Sequence, residues 1–394
     1  MTTPESETWD LVIVGAGPAG SAAALSALHH DPTLRVLLLD RSDFPRDKSC
    51  GDGIAPHVFE ALAGIGVTGV EDGWTPLTRL ELARGEQSVE RPMARPVYVI
   101  PREVFDARLV ARAVERGAVL RRARIVSLKT VPHGIILNGT ISAPTVIGAD
   151  GAHSVARAHL GLPSGRRALA IRGYAPTPPD RRGTQVIRYG DRRQPAYAWA
   201  FDRGDGLSNI GYGELLPSDG ELPPSRALLL DQLEQLLPGS VVDGIQWRGH
   251  HLPLSGWRWD QPDGRVLLAG DAAGLINPMT GEGIYYAIAT GIAAGRTAAR
   301  TQREPGSAGA EHRRAVRRLL GTHLKHTWVA SRLAEHPVIV DGGIRLARRD
   351  RRVFDEMVEL GLGDGRISGR LVLGLTTGLG RKAVTEVKDM VGRS

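Results

Sequence analysis

The sequence predicts an α/β chain: a single Rossmann-type domain assembled from separated segments, a β-rich substrate domain and a helical C-terminal cap. Three observations carry that expectation. Asp10–Val14 is a short apolar run leading into glycine, the mark of a buried parallel strand, and Pro18 onward reads as an Ala-rich helix with proline near its first turn. Between about 166 and 258 the texture changes to short alternating runs rich in Gly and Pro, as in an antiparallel sheet. The strand-then-helix pattern returns at Arg265–Ala269 and Gly283–Arg300. These shifts divide the chain into a nucleotide-binding part at 1–75, 98–165 and 259–305, a β-rich part at 76–97 and 166–258, and a cap at 306–394.

The remaining elements follow in order. Arg35–Asp40 is a second strand, and Val104–Arg116 carries apolar residues at helical spacing. Arg124–Lys129, Gly134–Leu137 and Thr145–Ala149 look like further strands, and from Glu311 the chain is helical and Arg-rich. With 394 residues and 42% hydrophobic content a large core is available. The polar, acidic start argues against a signal peptide, and no apolar run approaches the ~18 residues of a spanning helix. Cys50 is the only cysteine, which excludes an internal disulfide and fits a reducing cytoplasm. Arginine supplies 45 of the 50 basic residues behind the net charge of +7. Nucleic acid is not an expected partner, because aromatic residues make up only 5% and no zinc, helix-turn-helix or RNP pattern occurs.

The chemistry begins at Gly15-Ala16-Gly17-Pro18-Ala19-Gly20, directly after a strand and opening a helix. Gly15 permits the tight turn, Gly17 lets backbone approach a pyrophosphate, and Gly20 lets helix and strand pack closely; the helix N-terminus supplies N–H groups to the phosphates. Asp40 ends the next strand, where a carboxylate reaches ribose hydroxyls. This segment predicts a dinucleotide without separating NAD from FAD. Gly270-Asp271-Ala272-Ala273-Gly274 follows the late strand, and Asn277-Pro278-Met279-Thr280-Gly281-Glu282-Gly283-Ile284 then opens another helix. Here the sequence resembles the flavoprotein hydroxylase and geranylgeranyl reductase superfamily.

That resemblance implies non-covalent FAD, with Asp271 on its ribityl chain and Pro278 beside the isoalloxazine. The helix end at Gly281, Gly283 and Ile284 would face its pyrimidine side. It also assigns to cofactor binding Arg102 in PREVFD, Asp150 and Gly151 in GADGAHSVAR, and Arg41, Gly51 and Val126, although Asp150 can equally cap the following turn. A narrower likeness is to the geranylgeranyl reductase family: Phe44–Gly53 (FPRDKSCGDG) is similar to its FPR.K.CG.G segment, and YAWAF at 197–201 with GDG and NIG beyond is similar to its YxWxF pattern. Tyr197, Trp199 and Phe201 alternate onto one strand face and would wall the flavin. Asp202 departs from the family, where proline usually follows. Cys50, which the family puts beside the flavin, would be a protonated thiol at neutral pH from its unperturbed pKa of ~8.5.

The resemblance thus implies an FAD-dependent oxidoreductase acting on a hydrophobic, isoprenoid or polyene-type substrate. Cys50, Tyr197 and Trp199 are the catalytic candidates, and NAD(P)H, ferredoxin or free reduced flavin the external electron donor. The second reading is a monooxygenase of a hydrophobic metabolite. No metal is expected: His250 and His251 would point to opposite faces of a strand, and His323 and His326 lack a third ligand. Arg313, Arg314, Arg317 and Arg318, with Arg348, Arg349, Arg351 and Arg352 and apolar Leu319, Leu320, Leu371 and Leu373 near them, suggest weak peripheral contact with an anionic inner membrane face.

Overall fold

The computed structural model describes residues 7–217 and 221–372. Among these, the α-helices are α1 (Pro18–His30), α2 (Pro56–Ala63), α3 (Arg102–Glu115), α4 (Val155–His159), α5 (Arg226–Leu236), α6 (Ile284–Arg300), α7 (Ala308–Leu333), α8 (Pro337–Arg349) and α9 (Arg351–Leu362).

The runs Leu11–Val14, Val36–Asp40, Thr145–Gly148 and Val266–Leu268 are buried along their whole length and pair in parallel. Burial on both faces explains why they read as unbroken apolar runs rather than alternating ones. With Val119–Arg122 they form a five-stranded sheet ordered 266–268, 145–148, 11–14, 36–40, 119–122. The expected α/β fold is therefore present. Across this sheet α1 and α6 meet almost backbone to backbone. A Cβ at Gly291 would stand 2.2 Å from the Ala19 carbonyl oxygen, and one at Gly295 2.0 Å from that of Ala23. That approach requires the Ala/Gly composition of both helices, and it brings the loop before α6 beside the glycine turn before α1.

One strand falls elsewhere than the sequence suggests. Residues 124–127 are irregular, between strands Val119–Arg122 and Leu128–Val131. The Asn138 side chain takes their backbone bonds, accepting from Val126 N–H (3.0 Å) and Ser127 N–H (3.2 Å) and donating to the Arg124 carbonyl (2.9 Å). A side-chain amide has replaced the ladder.

The second large sheet has eight strands. Its order runs Ile245–Pro253, Arg167–Pro176, Leu207–Leu215, Tyr197–Asp202, Thr184–Tyr189, Leu77–Arg84, Gln87–Val99 and Gly53–Ile54. Asp202 closes the hairpin after its strand by accepting from the N–H groups of Gly183 (2.7 Å) and Gly204 (3.0 Å) and from the Thr177 hydroxyl (3.2 Å). Proline there would lack this carboxylate. Helices α8 and α9 cover one end of the sheet, where Ile344, Ala347 and Phe354 pack with Leu77, Leu80, Leu82 and Val97. Arg91 fastens them by donating to the carbonyls of Ala347 (3.0 Å) and Arg348 (2.7 Å), the open end of α8.

No helix among the described residues is long and apolar enough to cross a membrane. Part of the basic clusters is engaged within the chain, and Leu319 is exposed beside them. Arg313, Arg314, Arg317 and Arg351 pair with Asp263, Glu311, Asp260 and Asp355, while Leu320 and Leu371 are buried. Leu373 lies outside the described residues.

The α1–α6 contact gives a direct check. Gly291→Ala should destabilise the fold by about 1–3 kcal/mol through overpacking against backbone, read as a lower unfolding temperature. An unchanged transition would show that the two helices separate without cost.

Candidate active site

The glycine turn is positioned by the sheet beneath it. Gly15 has φ +98°, and a Cβ there would lie 2.3 Å from the Ala149 carbonyl oxygen; a Cβ at Gly20 would lie 1.7 Å from that of Gly15. Only glycine fits either place. Asp40 accepts from Ala16 N–H (2.9 Å) and Ser42 N–H (2.9 Å), holding the next strand end against the turn. Above the turn stand two guanidinium groups, with Arg46 3.6 Å and Arg102 3.8 Å from where a Gly17 Cβ would be. Both are tethered by one fully buried carboxylate. Asp106 accepts from Arg102 Nε (2.6 Å) and from one of its terminal nitrogens (2.8 Å), and from Arg46 (3.0 Å). Arg46 also lies 3.9 Å from Asp40, so two guanidinium groups and two carboxylates gather above the N-terminus of α1, whose N–H groups and dipole suit a pyrophosphate.

The 270s loop meets this cradle from the other side. Asp271 lies 3.2 Å from Lys48. Burial opposes its ionisation, but Lys48, His250 and Arg102 outweigh burial and hold its carboxyl below the usual range. Arg157 donates to the carbonyls of Asp271 (3.2 Å), Ala272 (3.2 Å) and Ala152 (2.5 Å), stapling the loop to the 150s segment. Asp150 itself caps α4, accepting from Ser154 Oγ (2.5 Å) and Val155 N–H (2.6 Å), while Gly151 takes φ +82° beside it. Glu282 accepts from Tyr285 N–H (2.9 Å) at the start of α6. Burial pushes its carboxyl up to about 7, against the pull of the Tyr285 and Ile284 N–H groups, His57 and Arg102.

From these groups a cavity of about 630 Å³ runs between the eight-stranded sheet and the helical cap. Pro18, Cys50, Gly51, Arg102, Asp271, Pro278, Gly281, Gly283 and Ile284, all anticipated, line its polar end, joined by Lys48 and Glu282. Tyr197, Trp199 and Phe201 do share one face and wall it, with ring centroids 6.0 and 6.4 Å apart in sequence order. Tyr197 donates to the Thr280 carbonyl, and burial raises its phenol far above the ordinary value, so it stays neutral. The far end is apolar, lined by Leu333, Ile344, Met357 and Leu371. Gly15, Asp40, Asp150 and Gly151 stand outside this lining; Arg41 is exposed, and Val126 is 64% exposed beside the Asn138 loop.

Cys50 sits at the junction of the two ends. The Asp52 N–H and the Arg102 guanidinium stand near its sulfur. Burial pushes the thiol up, and the Asp52 and Glu282 charges reinforce this; the Arg102 charge and the Asp52 N–H oppose it.

His323 and His326 bond to backbone at Gly365 (2.6 Å) and Ile367 (2.9 Å), and His250 and His251 alternate along one strand. Among the described residues, His57, Glu359 and Asp364 come together as potential metal ligands. Arg95 already occupies both Glu359 oxygens, at 2.8 and 2.9 Å. Sequence reasoning missed Arg46, Lys48, Asp52, Asn209 and Glu282. All five stand inside motifs already singled out (FPRDKSCGDG, NIG and NPMTGEGI), but their partners are mostly distant in sequence.

Residues 8–187 match the FAD binding domain family. Together with the cradle and the adjoining cavity, this defines an FAD-dependent oxidoreductase. The chain is 32% identical to menaquinone reductase of Mycolicibacterium smegmatis over 72% of its length and 74% of that protein. It is likewise 32% identical to digeranylgeranylglycerophospholipid reductase 1 of Methanopyrus kandleri, over 74% and 80%. A geranylgeranyl bacteriochlorophyll reductase-like protein of Thermoplasma acidophilum has the same fold, with TM-score 0.78, 20% identity and coverage of 98% and 99%. The chain belongs to the geranylgeranyl reductase family of FAD-dependent oxidoreductases.

Two outcomes follow from this geometry. Asp271→Ala should lose a charge-assisted bond set on the order of 1.5–3 kcal/mol and purify largely colourless, with heat-released FAD as the readout; a fully yellow variant would remove Asp271 from the cofactor site. Glu282 has a raised pKa in the folded state, so its ionisation costs stability, and that cost grows as pH rises from about 4.5 through about 7. Glu282→Gln should therefore match the wild type in thermal unfolding at pH 5 and exceed it at pH 8. A pH-independent difference would contradict the assignment.

Proposed function

We propose that this protein saturates a carbon–carbon double bond in a long, uncharged isoprenoid or polyene-type chain. The observation that carries the reading is the continuity of the cavity from Cys50 to the apolar space under the cap. A substrate with one reacting double bond and a long apolar remainder would find a thiol at one end and mainly aliphatic and aromatic walls at the other. Names of relatives, which specify a quinone and a geranylgeranyl lipid, point the same way.

FAD, once reduced by an external donor, would supply the hydride for one alkene carbon. Cys50 would give its proton to the other carbon, so that hydride and proton together add two hydrogens across the bond. The raised thiol pKa keeps that proton in place at neutral pH, and Arg102 beside the sulfur would stabilise the thiolate left behind. Trp199 and Tyr197 would orient the chain and exclude water, with the Tyr197 hydroxyl committed to Thr280. Asp40, the glycine turn, Arg46 and Arg102 would hold the dinucleotide portion, and Asp271 the ribityl chain. Electrons would come from an external donor, NAD(P)H or a small redox partner, meeting the site transiently.

Chemically reduced enzyme given a prenyl or polyene substrate without oxygen should yield product heavier by about two mass units. Cys50→Ala should slow this far more than Cys50→Ser, whose hydroxyl retains a transferable proton. Product that gains an oxygen atom, and only in air, would replace this reading with the monooxygenase.

A further inference from the structure

Asp52 is an unusual residue in an unusual place. It is fully buried, and it adopts φ +57°, a left-handed conformation uncommon outside glycine. One carboxylate oxygen accepts from Tyr174 Oη (2.5 Å) and Asn209 Nδ2 (2.8 Å), and the other has no hydrogen-bond partner. Asn209 is itself fully committed: it also donates to the Cys50 carbonyl (2.9 Å) and accepts from Trp199 Nε1 (2.8 Å). The left-handed turn aims the Asp52 backbone N–H at the Cys50 sulfur.

We infer that Asp52 is a positioning residue for the Cys50 thiol: its clamped carboxylate fixes the turn that presents the sulfur to the cavity, and its negative charge keeps the proton on that sulfur. The inference rests on the reading of Cys50 as proton donor. The groups that face Asp52 are Arg172 and Tyr174 from strand Arg167–Pro176, Arg102 from α3 and Cys50 from its own turn. Asp47 pairs with Arg172, and Glu282 faces the thiol from the loop before α6. Burial pushes the Asp52 carboxyl up to about 6, so it is ionised at neutral pH and opposes thiolate formation next to it. A loop that needed only a tight turn would be served by glycine, which adopts this φ freely and brings no buried charge.

The single cysteine makes the test clean. Iodoacetamide labelling of the purified flavoprotein, followed by mass spectrometry across pH, reads the thiol titration directly. Asp52→Asn keeps an acceptor for Tyr174 and Asn209 but removes the charge. It should lower the labelling midpoint by about one pH unit and speed labelling at pH 8 roughly tenfold. Asp52→Gly, which suits the backbone, should shift the midpoint the same way and covers the case in which Asn is poorly tolerated. A merely structural role would lower stability and leave the midpoint in place. Midpoints of both variants coinciding with the wild type would overturn the inference. Should the midpoints shift while Cys50→Ala turns over at the normal rate, the clamp stands and the proton-donor reading fails.

Discussion

Two guanidinium groups share one buried carboxylate, and the site is arranged around that triad. Asp106 is inaccessible to solvent, so Arg102 and Arg46 neutralise it where water cannot, and both are then held over the glycine turn. Removing the carboxylate would leave two cations crowded in a low-dielectric space, a costly arrangement. Arg102 is not confined to the triad: it also stands near the Cys50 sulfur, so one side chain links the glycine turn to the aromatic-walled cavity.

The second constraint is the separation of labour between the two sheets. The parallel sheet brings four backbone turns to one edge, and the glycine-to-carbonyl approaches between α1 and α6 set how near the 270s loop comes to the first turn. The eight-stranded sheet, antiparallel except where Thr184–Tyr189 pairs in parallel with Leu77–Arg84, contributes an aromatic wall, and the cap closes over it with aliphatic side chains. Lys48, Arg102, Asp271 and Glu282 line the cavity beside the glycine turn, and aliphatic side chains dominate its lining under the cap. An apolar substrate would therefore enter with little desolvation cost, while charged headgroups would be disfavoured at depth.

Much of this was legible in the chain because it is dictated locally. Gly15 and Gly20 are demanded by a turn and a close approach, and Tyr197, Trp199 and Phe201 share a face because strands alternate. What escaped depends on partners remote in sequence. Nothing near Asp52 announces Asn209 or Tyr174, and nothing near Glu282 announces that burial would raise its pKa. The strand expected at Arg124–Lys129 failed because Asn138 captures those backbone groups, which propensity does not register. Charge spacing along a helix likewise does not reveal which arginines are paired with Asp260 or Asp263.

In the proposed reaction substrate, rather than oxygen, takes the electrons, and the flavin absorbance of anaerobically reduced enzyme in a stopped-flow cell reads this step. The yellow oxidised spectrum should return when a prenylated quinone or polyprenyl lipid is mixed in without oxygen, and Cys50→Ala should delay this return. A flavin that stays bleached with every such substrate until air is admitted would contradict it.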